Sequence, residues 1–162
     1  MRVPIRRAVA LIALGAVALV VTAVAGAAAP VKFQVTVVDT SPPPNIRFSV
    51  QPVPPEVEAA TVKVGFANNS IAPHVLVAVG GLPEGITLQE FRNIVDAVEH
   101  GAQPPEGSFL AGAVFSKPGQ DHQQQFDLNA PGQYGFFCPI VGPTGVAHYD
   151  EGFLGLFEVV AS

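Results

Sequence analysis

From residue 31 onward the chain is a succession of short, β-branched and partly alternating runs, each cut off by a proline- or glycine-rich turn. Side chains in a strand point alternately to opposite faces, so alternation of this kind pairs a buried face with a wet one. The runs are 31–38, 46–50, 62–66, 74–79, 123–128, 133–138 and 156–160. His74 to Val79 is almost continuously apolar, as suits a central strand. Turns such as Ser41-Pro42-Pro43-Pro44-Asn45 and Asn129-Ala130-Pro131-Gly132 separate them. Many short strands with this punctuation predict an all-β antiparallel sandwich or barrel. The proline-rich stretch 41–59 contains one of the strands, so it reads as turn chemistry and not as a linker.

One segment has a different period. Leu88, Phe91, Ile94, Val95 and Val98 form a helical stripe. Thr87 with Glu90 three residues later is a capping-box pattern, and Gly101 is a stop. The expectation is a single helix over about 87–100, inserted in the sandwich, its stripe used for packing.

The N-terminus has a basic start (Arg2, Arg6, Arg7), an apolar run from Ala8 to about Ala25 and the small residues Gly26-Ala27-Ala28-Ala29. This is the order of a secretory signal, with a cut after Ala28 fitting the small-residue rule. Residues 1–29 are therefore expected to be a signal peptide, or an N-terminal membrane anchor if uncleaved, since roughly 18 apolar residues approach a spanning length. Residues 30–162 are one domain. No cysteine stands near the signal, which excludes a lipoprotein anchor. The expected location is secreted, periplasmic or on the outer face of the cytoplasmic membrane. The full chain carries eight Lys and Arg against 13 Asp and Glu. Three of the eight leave with the signal, so the remainder has five against 13, a net of −8. That balance argues against nucleic acid and anionic lipid as partners.

Cys138 is the one cysteine in the chain. It cannot form an intramolecular disulfide, and an unpaired thiol outside the cytoplasm calls for a use. His148 follows it after nine residues, through a loop that holds Gly142, Pro143, Thr144 and Gly145 and can turn back on itself. His74 opens a strong strand. If that strand neighbours the one ending at Cys138, a thiolate and two imidazoles can meet at one end of the sandwich. Such a set suits copper, and zinc if a fourth ligand exists. His100, at the helix end, and His122, beside Asp121, read as ordinary surface histidines.

These motifs resemble those of the cupredoxins, the small blue copper proteins of the plastocyanin, azurin and sulfocyanin kind, over nearly all of residues 31–162. Asn45-Ile46-Arg47-Phe48 through Val62-Lys63-Val64-Gly65-Phe66-Ala67-Asn68 is similar to the family's early strand pair. Asn69-Ser70-Ile71-Ala72-Pro73-His74 is similar to its approach to the first histidine ligand. Pro131 to Cys138 resembles its strand into the cysteine ligand. Gly145-Val146-Ala147-His148, followed by Gly152-Phe153, resembles its closing His-x-x-x-Gly-Met. The resemblance implies a Greek-key β-sandwich, one type 1 copper site on His74, Cys138 and His148, and one-electron transfer with a redox partner protein, membrane-bound partners included. It also implies that His148 reaches the surface, with Ile140, Val141, Val146 and Phe153 as a docking rim around it.

Two positions depart from the family pattern. The axial methionine falls at Phe153, which has no donor atom, and Met1 is the one methionine in the chain. The site is then three-coordinate, with a backbone oxygen of the Ala72–Pro73 segment as a distant fourth neighbour. Losing the axial donor destabilises Cu(II) more than Cu(I), and a ring excludes water. Both effects raise the reduction potential. The second departure is Val75, where plastocyanin and azurin have asparagine. Its backbone N–H can still reach the thiolate, and Asn68, Asn69 or Ser70 can supply the missing hydrogen bonds.

Enzymatic readings are weaker. A multicopper oxidase needs His-x-His motifs, and this sequence has none. A cysteine hydrolase needs an activated nucleophile, commonly at a helix N-terminus, whereas Cys138 ends a strand and precedes Pro139. No phosphate loop or dinucleotide fingerprint is present. Two non-enzymatic alternatives stand beside electron transfer: a carrier or buffer of Cu(I), and a metal-free β-sandwich interaction domain.

Overall fold

A computed structural model describes residues 33–41 and 46–162. The expected signal or anchor, residues 1–29, lies outside them. Nine strands and one helix follow in the order β1 (Phe33–Ser41), β2 (Arg47–Val53), β3 (Glu56–Glu58), β4 (Ala60–Asn69), β5 (His74–Leu82), α1 (Leu88–Glu99), β6 (Phe109–Ser116), β7 (Asp121–Leu128), β8 (Gly132–Phe137) and β9 (Leu154–Val160). They form two sheets, β2-β1-β4-β7 and β3-β9-β8-β5-β6. The chain changes sheet on either side of β3, between β4 and β5, between β6 and β7, and between β7 and β8, which gives the expected Greek-key sandwich. Most pairs are antiparallel; β1 with β4 and β3 with β9 are parallel.

Two strands were not among the expected runs. β6 carries Leu110, Ala111, Gly112 and Ala113 where β-branched residues would have marked it. Gly112 is there for space: a Cβ would lie 2.6 Å from the Phe126 ring. β3 is three residues long and gains its place by pairing with the end of β9. The other expected runs are strands, extended at one end or both.

The core lies between the sheets. Val35, Val37, Val62, Val64, Phe66, Leu76, Phe126, Leu128, Phe136 and Phe157 are almost fully buried. Each such side chain contributes roughly 1.5–3 kcal/mol of apolar burial. β7 is one of the two edge strands of the four-stranded sheet and is exposed from Asp121 to Gln125, a polar edge that discourages strand addition by other chains.

The helix forms where its caps predict. Thr87 accepts from the Glu90 N–H, and the Glu90 carboxylate accepts from the Thr87 N–H, closing the capping box. At the other end Gly101 has φ +95°, and the Gly101 and Ala102 N–H groups bond back to Val98 and Ala97, a Schellman stop. Phe91 and Val95 are buried in a second cluster with Leu82, Tyr149 and Leu154 on the outer face of the five-stranded sheet. Gly135 of β8 makes this possible, since a Cβ there would run into the Phe91 ring. Among the described residues no helix is long and apolar enough to cross a membrane.

Candidate metal centre

β5 and β8 are neighbours, with Val77 opposite Phe137. That pairing carries the start of β5, His74, toward Cys138, the residue after β8. The chain from Cys138 to Phe153 then folds back on itself. The His148 N–H bonds to the Ile140 carbonyl, the Tyr149 N–H to the Cys138 carbonyl, and Val141 bridges Ala147. The loop between Cys138 and His148 is thus a small closed structure that returns the histidine to the cysteine.

The result is a cluster of His74, Cys138 and His148 whose donor atoms all lie within 4.8 Å of one another. The two Nδ1 atoms are 3.0 Å apart, and Cys138 Sγ is 3.6 Å from His148 Nδ1. Donors bound at 2.0–2.3 Å around one ion in a plane stand about 3.5–4 Å from each other. The spacings here, from 3.0 Å to at most 4.8 Å, straddle that range, so small shifts of the rings would seat one small ion, and the sulfur-plus-two-nitrogen set suits a soft or borderline one. The zinc alternative required a fourth ligand. Among the described residues the cluster holds no other His, Cys, Asp or Glu.

Aromatic rings fill the space around the donors. The Phe153 ring centroid is 4.7 Å from that of His74, and Phe48 lies 4.6 Å from His74 and 4.9 Å from His148. Phe153 is completely buried. Sequence reading found Phe153 but missed Phe48, a core-facing residue of β2 whose only signal was its place in an alternating run. The Ala72 carbonyl, of the segment expected to offer a distant oxygen, accepts from Asn68 Nδ2 at 2.8 Å and lies 3.1 Å from the Ser70 hydroxyl oxygen.

Burial governs the electrostatics. It pushes the Cys138 thiol up to about 11, with the Val75 and Ile140 N–H groups opposing. The Val75 N–H donates to Sγ at 3.4 Å, as expected for the residue that replaces asparagine. Burial first, and His148 second, hold the His74 ring down to about 3. Burial also lowers His148, and Glu151 works against it. Metal-free at neutral pH, the trio is thus a protonated thiol and two neutral rings. A metal that binds here displaces a proton from sulfur.

Two expectations about the rim are corrected. His148 does not reach the surface; it is 2% exposed. The turn at Gly142 passes so close that a Cβ there would sit 3.2 Å from His148 Nε2 and 3.4 Å from Glu151 Oε2. Glu151 is itself 3% exposed and accepts from the Thr144 hydroxyl at 2.9 Å. Phe153 belongs to the interior and not to a rim. Val141 and Val146 are exposed, and Ile140 is half-buried. Away from the cluster, His100 is exposed at the end of α1, where its Nδ1 meets the Asp96 carbonyl at 2.7 Å and its pKa is raised by Asp96. His122 is exposed on β7 beside Gln120.

No protein-family model matches the chain, and no curated relative does. Solved structures do. A dithionite-reduced auracyanin from the photosynthetic bacterium Roseiflexus castenholzii is 26% identical, with a TM-score of 0.44 over 67% of this chain and 86% of that one. Auracyanin A, a blue copper protein from Chloroflexus aurantiacus, is 18% identical, with a TM-score of 0.43 over 80% and 98%. A purple cupredoxin from Nitrosopumilus maritimus is 15% identical, with a TM-score of 0.35 over 80% and 98%. The chain resembles the cupredoxins, in its two-sheet sandwich and in its His-Cys-His cluster. The case for a metal rests on the donor set and not on these scores.

Proposed function

We propose that the protein is an extracytoplasmic type 1 copper protein that carries single electrons, with a reduction potential raised by Phe153. The buried convergence of His74 Nδ1, Cys138 Sγ and His148 Nδ1, with aromatic carbon where a further donor would stand, carries this reading. Copper held there supplies a one-electron couple. The protein's part is to hold three donors in a fixed, dry arrangement, so that little has to move when charge changes. The Val75 N–H places a positive dipole on the sulfur, which favours the lower oxidation state in the same sense as the missing axial donor. The signal-like N-terminus supports an extracytoplasmic location. Exposed Val141 and Val146, on the loop over His148, are the proposed contact for a redox partner.

The test is a visible spectrum. Purified protein given Cu(II) is expected to show a strong thiolate-to-copper band that is absent in Cys138→Ser. Binding of neither Cu(II) nor Cu(I) would leave the metal-free interaction domain as the surviving reading. One observation favours a second function: a buried site with three strong donors and, among the described residues, no fourth His, Cys, Asp or Glu suits storage or carriage of Cu(I). Tight Cu(I) binding without a Cu(II) band would select it.

A further inference from the structure

Between β4 and β5 lies a polar group buried inside an otherwise apolar end of the sandwich. Asn68 is fully buried, and Ser70 is 5% exposed. Asn68 Oδ1 receives the Ser70 N–H at 3.0 Å and the Ser70 hydroxyl at 2.8 Å. Asn68 Nδ2 donates to the Ala72 carbonyl at 2.8 Å and to the Ser116 carbonyl at 3.1 Å. Ser70 Oγ is 2.8 Å from His74 Nε2 and also receives the Ala72 N–H at 3.3 Å.

The direction of every bond in this chain is fixed by the backbone. The Ser70 N–H can only donate, and the Ala72 and Ser116 carbonyls can only accept. The Asn68 amide therefore has one orientation, oxygen toward Ser70 and nitrogen toward the two carbonyls. Its oxygen cannot donate, so the contact at 2.8 Å must use the one proton of the Ser70 hydroxyl. The other oxygen near that hydroxyl, Ala72 O, is also an acceptor only. With the proton committed to oxygen, Ser70 Oγ can meet His74 Nε2 only as an acceptor, and Nε2 must carry hydrogen. Were the hydroxyl to point at Nε2, two acceptor oxygens would face Oγ with no proton between them, a buried repulsion of the kind that costs a few kcal/mol.

We infer that Asn68 and Ser70 form a backbone-anchored relay that holds His74 as its Nε2–H tautomer, with the Nδ1 lone pair aimed at Cys138 and His148. Ser70 and Asn68 are positioning residues: they act through His74 and touch neither the metal position nor Cys138. The relay takes over from the side chain that Val75 lacks. It ties the ligand to β4 and, through Ser116, to the end of β6. Its value for metal binding rests on the copper reading, but the tautomer itself does not. Outer hydrogen bonds of this type are typically worth about 10–100-fold in metal affinity.

The decisive measurement is made on the metal-free protein at neutral pH, by long-range nitrogen–proton NMR of the histidine rings. The expected result is His74 as a single Nε2–H tautomer in the wild type and in Ser70→Thr, and a mixture in Ser70→Ala. A wild type with Nδ1 protonated, or a Ser70→Ala protein that keeps a pure Nε2–H ring, would overturn the relay. The wild-type result stands even if Ser70→Ala does not fold. In the same series Cu(II) affinity should fall at least about tenfold in Ser70→Ala and return in Ser70→Thr; an unchanged affinity would refute the positioning role. An Nε2–H ring in a protein that binds no copper would uphold the tautomer and overturn the copper reading instead.

Discussion

On the proposed copper reading, Phe153 is the residue that sets the reduction potential. Its ring is buried against His74 and Phe66, and by the resemblance to cupredoxins it would occupy the place of a fourth donor. A thioether there would stabilise Cu(II) more than Cu(I). Phe153→Met should therefore lower the reduction potential by roughly 60 mV or more, which is a tenfold shift in relative affinity for the two oxidation states. Voltammetry of the two proteins gives the answer, and an unchanged or higher potential would place Phe153 away from the axial direction. At this scale the sequence was legible wherever chemistry leaves a rare letter: one cysteine, a histidine ten residues on, a phenylalanine in a methionine's place. Phe48 carried no such mark. Nor did Glu151, which lies over His148 because the chain turns at Gly142, and a turn's three-dimensional course is not written in spacing.

The helix and the ligand loop support each other. Arg92 of α1 donates from Nε and Nη2 to the Asp150 carboxylate at 2.8 and 2.7 Å, and Tyr149 reaches Asp96 at 3.3 Å. Asp150 and Tyr149 are the two residues after His148, so α1 braces the segment that holds the second imidazole. The brace depends on the tip of the Phe91 ring packing against β8 at Gly135. Gly135→Ala should push that ring away and lower stability by about 1–3 kcal/mol, the usual range for overpacking. Urea unfolding of Gly135→Ala, Phe91→Leu and the double variant checks the contact: the two effects should combine to less than their sum. Strict additivity would show that ring and strand do not press on each other. The helix itself was legible, since its capping box, apolar stripe and glycine stop are all local. The sheet it lies on was less so. β6 is poor in β-branched residues and owes its extension to β5, a partner distant in sequence.

For the molecule as a whole, two buried neutral imidazoles make stability depend on acid. His74 keeps its neutral form down to about pH 3 when folded, against 6.5 for the ordinary ring. The unfolded chain takes up the proton first. The stability from this group is complete above about pH 6.5 and is lost progressively as pH falls toward 3. At pH 5 the loss amounts to about 2 kcal/mol. Metal-free protein in urea should show it between pH 7 and pH 5, and a His74→Leu variant should lose less over the same interval. Equal losses would mean that His74 is not the group responsible.

The loop that closes over His148 has a consequence in time. The turn at Gly142 and the buried Glu151 side chain stand against His148, and the three donor residues are at most 2% exposed. An ion that reaches them past this loop would have to wait for the stretch from Cys138 to Phe153 to open, and opening would break the Arg92–Asp150 pair that ties it to α1 and the Thr144–Glu151 bond within it. Uptake and escape along that route would be paced by the chain and not by diffusion. A loaded protein would then keep an ion against chelators far longer than affinity alone requires.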